Sequence, residues 1–318
     1  MSILNRRSFL VISGASAVGL TRPQHGVAKS HGKRKMTIDL VCGAIGVGAD
    51  QHKAIEYAAK YGFESVAPSA GEMAGFSDQQ IEDTVASLKA KGLVWGAAGL
   101  TVDFRKDEAT FKDGMKGLPR AAKALQTAGV TRVGTWLLPY HDSLTYVANF
   151  RQHAARLREV AKVFKDHGQR FGLEYVGPKT FWTKSNHSFI HTMAETKDLI
   201  AEIGTGNVGF VMDSWHWYTA GETIEDLKTL TNDDIVACDL NDAPAGIERD
   251  QQMDLRRELP ATTGVIDLKT FLNALNDIGY DGPVRAEPFN RTLNAMAPER
   301  ALPATAAAMR RAFKLIEG

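Results

Sequence analysis

NVGFVMDSWHWY (207–218) reads as an apolar strand, Val208, Phe210, Val211 and Met212, that delivers Asp213 and, three residues later, His216 at its C-terminal end. An acid at the mouth of a buried parallel strand is unfavourable unless it is paired or binds a cation. Three further strand-like stretches end the same way. FGLEYVGP puts up Glu174, IVACDLND puts up Asp239, and GPVRAEPFN puts up Glu287. Their spacing is that of successive βα units. Side by side in a closed barrel, the four carboxylates converge on one point, and the pattern predicts a metal site there.

On both sides of this stretch, strand and helix patterns alternate from Met36 to the end of the chain. Strands are expected at 37–48, 63–70, 93–104, 131–141, 169–178, 208–213, 233–242 and 282–289. Helices are expected at 50–62, 77–92, 107–128, 144–167, 187–203, 223–230, 267–280 and 298–317. Ser77 is placed to cap the second helix, and Gly62 and Gly92 to stop the first two. Such alternation implies parallel pairing with right-handed crossovers, and near-continuous apolar strands imply a sheet covered on both faces. The fold class is α/β, a single (β/α)8 TIM barrel over 36–318. Barrels of this kind fill about 250 residues as one unit, which suits a chain of 318 residues. No GxGxxG follows the first strand, which disfavours a dinucleotide-binding sheet.

Hydrophobic content of 44% and charged content of 24% are those of a globular protein with a full core. The net charge of +1 argues against a nucleic-acid partner. No apolar run reaches the roughly 18 residues that would span a bilayer, so no stable membrane association is expected. Cys42 and Cys238 lie inside expected strands without CxxC spacing, and read as buried free thiols. Residues 1–35 stand apart from the barrel. NRRSFLV (5–11), a short apolar run and a small-residue site at Gly26-Val27-Ala28 have the layout of a cleaved export signal and flexible linker. Arg6-Arg7 followed by Ser8-Phe9-Leu10 is of the twin-arginine type, which predicts a periplasmic or otherwise exported protein.

Four anions within ligand distance would raise one another's pKa, and a divalent cation removes that conflict. Carboxylate oxygens are hard ligands, so Mn²⁺ or Mg²⁺ is the expected cofactor, held by Glu174, Asp213, Asp239 and Glu287. The alternative for each acid is capping of the next helix or pairing with an arginine.

These motifs resemble the xylose-isomerase-like barrels, in the sugar isomerase/epimerase branch that includes the ketose 3-epimerases. Glu174 in LEYVGP matches the family's strand-five metal ligand, and Asp213-Ser-Trp-His216 its D-x-x-H. Asp239-Leu-Asn-Asp242 matches its H-x-K-D, and Glu287 its strand-eight Glu after a G-Y-D-G-P turn. Arg257 falls where the family carries a substrate-binding Arg in an R-x-L-P-G-x-G loop. The sequence departs from the family in having Asp239 where a His is usual, and in reading Pro260-Ala-Thr-Thr-Gly264 in that loop. The first departure predicts an all-oxygen site, and a tolerated Asp239→His that shifts preference toward Zn²⁺.

The resemblance implies a metal-dependent isomerase or epimerase that removes a proton next to a sugar carbonyl, through an enediolate. Glu174 and Glu287 would be the acid/base pair, and His216 a substrate contact or proton shuttle. Lys179 and His141 are further candidates for substrate binding, each with a structural alternative. Trp182 and Tyr218 could stack on a sugar face, packing is the expected role of Trp215 and Trp217, and Asp242 would orient ligands or Arg257. An exported enzyme would take an unphosphorylated sugar. The same site would also suit a lyase or hydratase of a 3-keto sugar or glycoside. The superfamily's apurinic endonuclease branch needs more histidines than His141 and His216 at strand ends, and four acids disfavour a non-catalytic sugar-binding barrel. Oligomeric state is left open, with a homo-oligomer compatible.

Overall fold

The computed structural model describes residues 34–317; the export signal expected upstream lies outside the described residues. Arg34, assigned by the sequence to the linker, pairs with Glu64 at 2.7 Å and lies over the Phe313 ring at 4.7 Å.

The strands are β1 (Thr37–Leu40), β2 (Ser65–Val66), β3 (Val94–Trp95), β4 (Ala98–Gly99) and β5 (Arg132–Trp136), then β6 (Arg170–Glu174), β7 (Val208–Asp213), β8 (Ile235–Leu240) and β9 (Pro283–Ala286). They hydrogen-bond in parallel in the order β3-β2-β1-β9-β8-β7-β6-β5-β4. The two outermost members, β3 and β4, are consecutive pieces of one stretch separated only by Gly96 and Ala97. The sheet therefore curls into a ring in which β3 and β4 share one place, as an eight-membered TIM barrel requires.

The break in that place has a cause. A Cβ on Gly96 would stand 2.4 Å from Asp39 Oδ1, so the chain bends around a carboxylate inside the barrel. The single strand expected over 93–104 is thus two short pieces. The expected strand 131–141 is also divided. Pro139 cannot donate to a ladder, and beyond it Tyr140–His141 leaves the barrel to pair antiparallel with His187–Ser188. The following helix accordingly begins at Met193 rather than 187, with Thr192 accepting the Glu195 N–H at 3.3 Å.

Helices cover the outside of the ring, burying residues such as Leu118, Leu125, Leu157 and Met309. Ser77 and Gln80 form a reciprocal capping box, and Gly62 closes its helix in the left-handed region, as their sequence positions demand. Cys42 and Cys238 are free and buried. No described helix is long and apolar enough to cross a membrane.

Candidate metal centre and active site

Asp213 is the last residue of β7, and the chain turns at once into a short helix, Ser214–Ala220. Its carboxylate starts that helix, Oδ1 accepting the Trp215 N–H at 2.8 Å. His216 therefore sits in a helical first turn and not on an extension of the strand. The turn folds it back, so that Nε2 lies 3.6 Å from Asp213 Oδ2 and 3.7 Å from Glu174 Oε1. On the far side the Gly177 N–H donates to Nδ1 at 3.2 Å. A Cβ at Gly177 would meet the His216 carbonyl oxygen at 2.6 Å, so only glycine allows the two loops this close. Burial first, and the Arg257 cation second, hold the imidazole well below its usual pKa, and it is neutral at pH 7.

Glu174, at the end of β6, is 7% exposed, and its Oε1 is buried without a hydrogen-bond partner. Burial, then the neighbouring Glu287, Asp239 and Asp213, raise its pKa well above the ordinary carboxyl value. Glu287 follows β9; burial and then Asp239 push it up to about 8, with Arg257 and Arg285 opposing. Asp213, also lifted mainly by burial, is at about 6. Single donor atoms of Glu174, Asp213 and His216 lie within 4.8 Å of one another, as do those of Glu174, Asp239 and Glu287. The sequence-predicted acids are therefore brought together, as two overlapping triads that share Glu174. An unpartnered buried carboxylate oxygen among hard oxygen donors and one imidazole is a donor set that fits a divalent cation.

Two arginines complete the charge balance. Arg257 is 2% exposed; Nη1 donates to Asp213 Oδ2 at 2.8 Å and to Glu287 Oε2 at 3.3 Å, and Nη2 lies 3.1 Å from His216 Nε2. Asp254 fixes its other edge at 2.7 Å, and Phe289 covers its face at 4.6 Å. Burial disfavours the cation, but Asp213, Asp254 and Glu287 outweigh it and raise its pKa.

Arg285, which the sequence reading did not single out, donates to both oxygens of Asp239, Nε at 2.5 Å and Nη2 at 2.9 Å. This pair changes the expectation for Asp239→His. An imidazole there would leave a partly buried guanidinium without its anion, so the exchange is not a simple change of ligand. Asn241 was also missed. Its Nδ2 donates to Asp213 at 3.1 Å and its Oδ1 accepts the Glu287 N–H at 3.0 Å, tying two acids to one amide. Its position two residues past Asp239, in DLND, was the available signal.

The remaining candidates separate. Lys179 is half exposed and paired with Asp250 at 2.9 Å, and His141 Nδ1 accepts the Ser143 and Leu144 N–H groups at 3.1 and 2.8 Å. Neither is brought into the carboxylate cluster. Trp182 stacks on His191 at 4.5 Å, and Trp217 packs on Phe271 at 5.5 Å. Trp215 is fully buried beneath Arg257 at 5.6 Å, and Tyr218 is half-buried at the periphery of the core.

Asp242 organises the loop that carries Arg257. Its carboxylate accepts the N–H groups of Thr263, Gly264 and Ile266 at 2.9, 2.8 and 3.1 Å, and its backbone pairs with Glu258. Asp242→Ala strands these donors and should cost about 3 kcal/mol, lowering the thermal midpoint by roughly 5 °C or more. A midpoint shifted by less than about 1 °C would show that the loop is held by other contacts.

The model of the xylose isomerase-like TIM barrel family matches residues 55–312. The chain belongs to that family. Inosose isomerase from Halalkalibacterium halodurans is 26% identical over 203 residues, 62% of this chain and 67% of that enzyme. Matches to inosose isomerases span from 49% to 67% of the relatives' length. D-psicose 3-epimerase from Ruminiclostridium cellulolyticum is 26% identical over 259 residues, 76% of this chain and 80% of that one. The structure of a xylose isomerase domain protein from Alicyclobacillus acidocaldarius superposes with a TM-score of 0.78 at 28% identity, covering 89% of this chain and all of the other. Within this xylose isomerase-like barrel, the clustered acids stand at the C-terminal ends of the strands, where barrel enzymes carry their chemistry.

Proposed function

We propose that this xylose isomerase-like barrel is a divalent-metal-dependent sugar isomerase or epimerase that moves a proton at a carbon next to a carbonyl. The observation that carries the reading is the pairing of Glu174 with Glu287. Glu174 is buried and Glu287 partly buried, both have raised proton affinity and belong to one triad, and Glu174 has an oxygen free of any hydrogen-bond partner. A carboxyl group whose pKa lies near the working pH can both take and return a proton.

A cation held by Glu174 together with acids of the two triads, Asp213, Asp239 and Glu287, with His216 beside it, would supply polarisation of the carbonyl. The chain's own residues do the rest. Arg257 anchors Asp213 and Glu287 and presents a fixed positive charge beside them. Neutral His216 can donate or accept a hydrogen bond at a substrate oxygen. Glu287 and Glu174 exchange the proton from two sides of the site. The substrate is proposed to be unphosphorylated: the cluster is rich in carboxylates, and its two arginines among the described residues are engaged with Asp213, Asp254 and Asp239 rather than free for a phosphate. Kinship to an inosose isomerase and a D-psicose 3-epimerase agrees with a small polyhydroxy carbonyl compound.

Proton exchange tests this reading. Metal-loaded protein in D₂O, with a panel of free and 3-keto sugars, should place deuterium on a carbon next to the carbonyl while an epimer or aldose/ketose partner accumulates. Gain or loss of water, or release of an aglycone, would transfer the same site to a lyase or hydratase. Absence of exchange with every sugar despite bound metal would defeat the proposal.

A further inference from the structure

Asp39, Arg285, Asp239 and Asp213 are successive Cα partners on the adjacent strands β1, β9, β8 and β7. Neighbouring strands lie about 4.8 Å apart, so Arg285 stands between two carboxylates in one row of the barrel wall. Its guanidinium is committed to one of them, bonding both oxygens of Asp239. Asp39, on the other side, is 2% exposed, and neither of its oxygens has a hydrogen-bond partner. The Ser65 hydroxyl, in register with Asp39, is bonded to Thr37 at 2.8 Å and, with the Leu40 N–H, lies near enough to favour the Asp39 carboxylate without closing a bond of normal geometry. Gly96 leaves room for the Asp39 carboxylate, which a Cβ would strike.

A buried carboxylate without partners is among the least favourable groups a core can hold, and an amide or a methyl would fill the space without the charge. We propose that Asp39 is a second seat for the Arg285 guanidinium, taken when a divalent cation claims Asp239. The inference rests on the proposed metal site. A guanidinium lying across both Asp239 oxygens repels an incoming cation. Moving it by one strand spacing releases those oxygens, takes a positive charge away from the metal and neutralises Asp39. No charge enters or leaves the barrel other than the cation itself. Asp39 is thus a positioning residue that acts on the metal through Arg285.

The test is a cycle of variants of the full chain, read by calorimetric titration with Mn²⁺ and by thermal midpoints with and without the metal. Asp39→Asn should leave the metal-free midpoint unchanged or higher, because a lone buried charge is gone, yet weaken Mn²⁺ binding at least about tenfold. In an Arg285→Met background no guanidinium needs reseating, and Asp39→Asn should then change the affinity by less than about threefold. Should Arg285→Met fail to fold, Arg285→Gln, which keeps a neutral donor toward Asp239 and leaves that carboxylate in place, provides the background. Unchanged affinity in Asp39→Asn alone would overturn the proposal. So would equal weakening in both backgrounds, which would mean that Asp39 acts on the cation directly. A wild-type protein that binds neither Mn²⁺, Mg²⁺ nor Zn²⁺ would defeat the metal reading itself, an outcome distinct from bound metal that is indifferent to Asp39.

Discussion

Glu287→Gln is expected to reduce turnover by about three orders of magnitude while the barrel stays folded. The amide keeps the size of the side chain, and its oxygen can still accept from Arg257, which retains its 2.8 Å bond to Asp213. The backbone N–H of residue 287 keeps its bond to Asn241, so the loop beyond β9 has no reason to move. What disappears is a carboxylate whose proton affinity, raised to about 8 by burial and by Asp239, suits exchange with carbon near neutral pH. Deuterium incorporation should fall with turnover, since both pass through the same proton transfer. Circular dichroism and the thermal midpoint in the presence of metal serve as the folding control. Turnover within tenfold of wild type in a folded variant would remove Glu287 from the acid/base pair.

The second large effect is a reversal of the pH dependence of stability by metal. Glu287 at about 8 and Glu222 at about 7 are both raised chiefly by burial, and Glu174 is raised well above its ordinary value. A carboxyl group with a raised folded-state pKa contributes stability that is complete at low pH and is lost as pH climbs through that pKa. Metal-free protein should therefore lose on the order of 2–3 kcal/mol between pH 6.5 and 8.5. Below pH 6.5 Asp213, raised to about 6, adds to this slope while two buried histidines oppose it. His153, lowered to about 4 by burial, and His216, also lowered by burial, stay neutral in the fold while the unfolded chain protonates them. Their contribution is present above the unfolded-state pKa of histidine and declines as pH falls. Bound Mn²⁺ needs ionised carboxylates, so its stabilisation should grow toward pH 8.5 and offset or invert the slope. Denaturant melts at several pH values, with chelator and with saturating Mn²⁺, measure both lines. Parallel lines would mean that the cation does not engage the raised carboxylates.

Both expectations draw on Glu287, and the second also on Glu174, acids that the chain order already marked; Glu222 and His153 carried no such mark. Glu174, Asp213, Asp239 and Glu287 were legible because each ends an apolar run of strand length, and parallel βα repeats send all such ends to one rim. Helix limits near Ser77, Gly62 and Gly92 were legible for a similar reason, since caps and left-handed turns are set by residues within one turn of chain. His216 was read just past the strand that ends at Asp213, but without the short helix that carries it. The carboxylate that closes the strand also starts the next helix, and a short apolar run of Trp and Tyr does not reveal the switch by period alone.

What the sequence could not determine is who stands beside whom. Asp239 looked like a free ligand until ring closure placed Arg285 on the adjacent strand in register, and Asn241 gained its role only when β7 and β9 flanked β8. Arg257 comes from a loop whose shape depends on Asp242 reaching Thr263 and Gly264, contacts some twenty residues apart. The break at Gly96 follows from Asp39 lying across the barrel interior, not from anything within 93–104 itself. Periodicity and local capping are properties of a few consecutive residues, so the repeat, the strand ends and the acids could be read along the chain. Charge pairing across a closed sheet depends on register between strands far apart in the chain, so it took the folded barrel to show which acid is held by an arginine, which by an amide, and that Asp39, unmarked in the sequence, accepts no hydrogen bond.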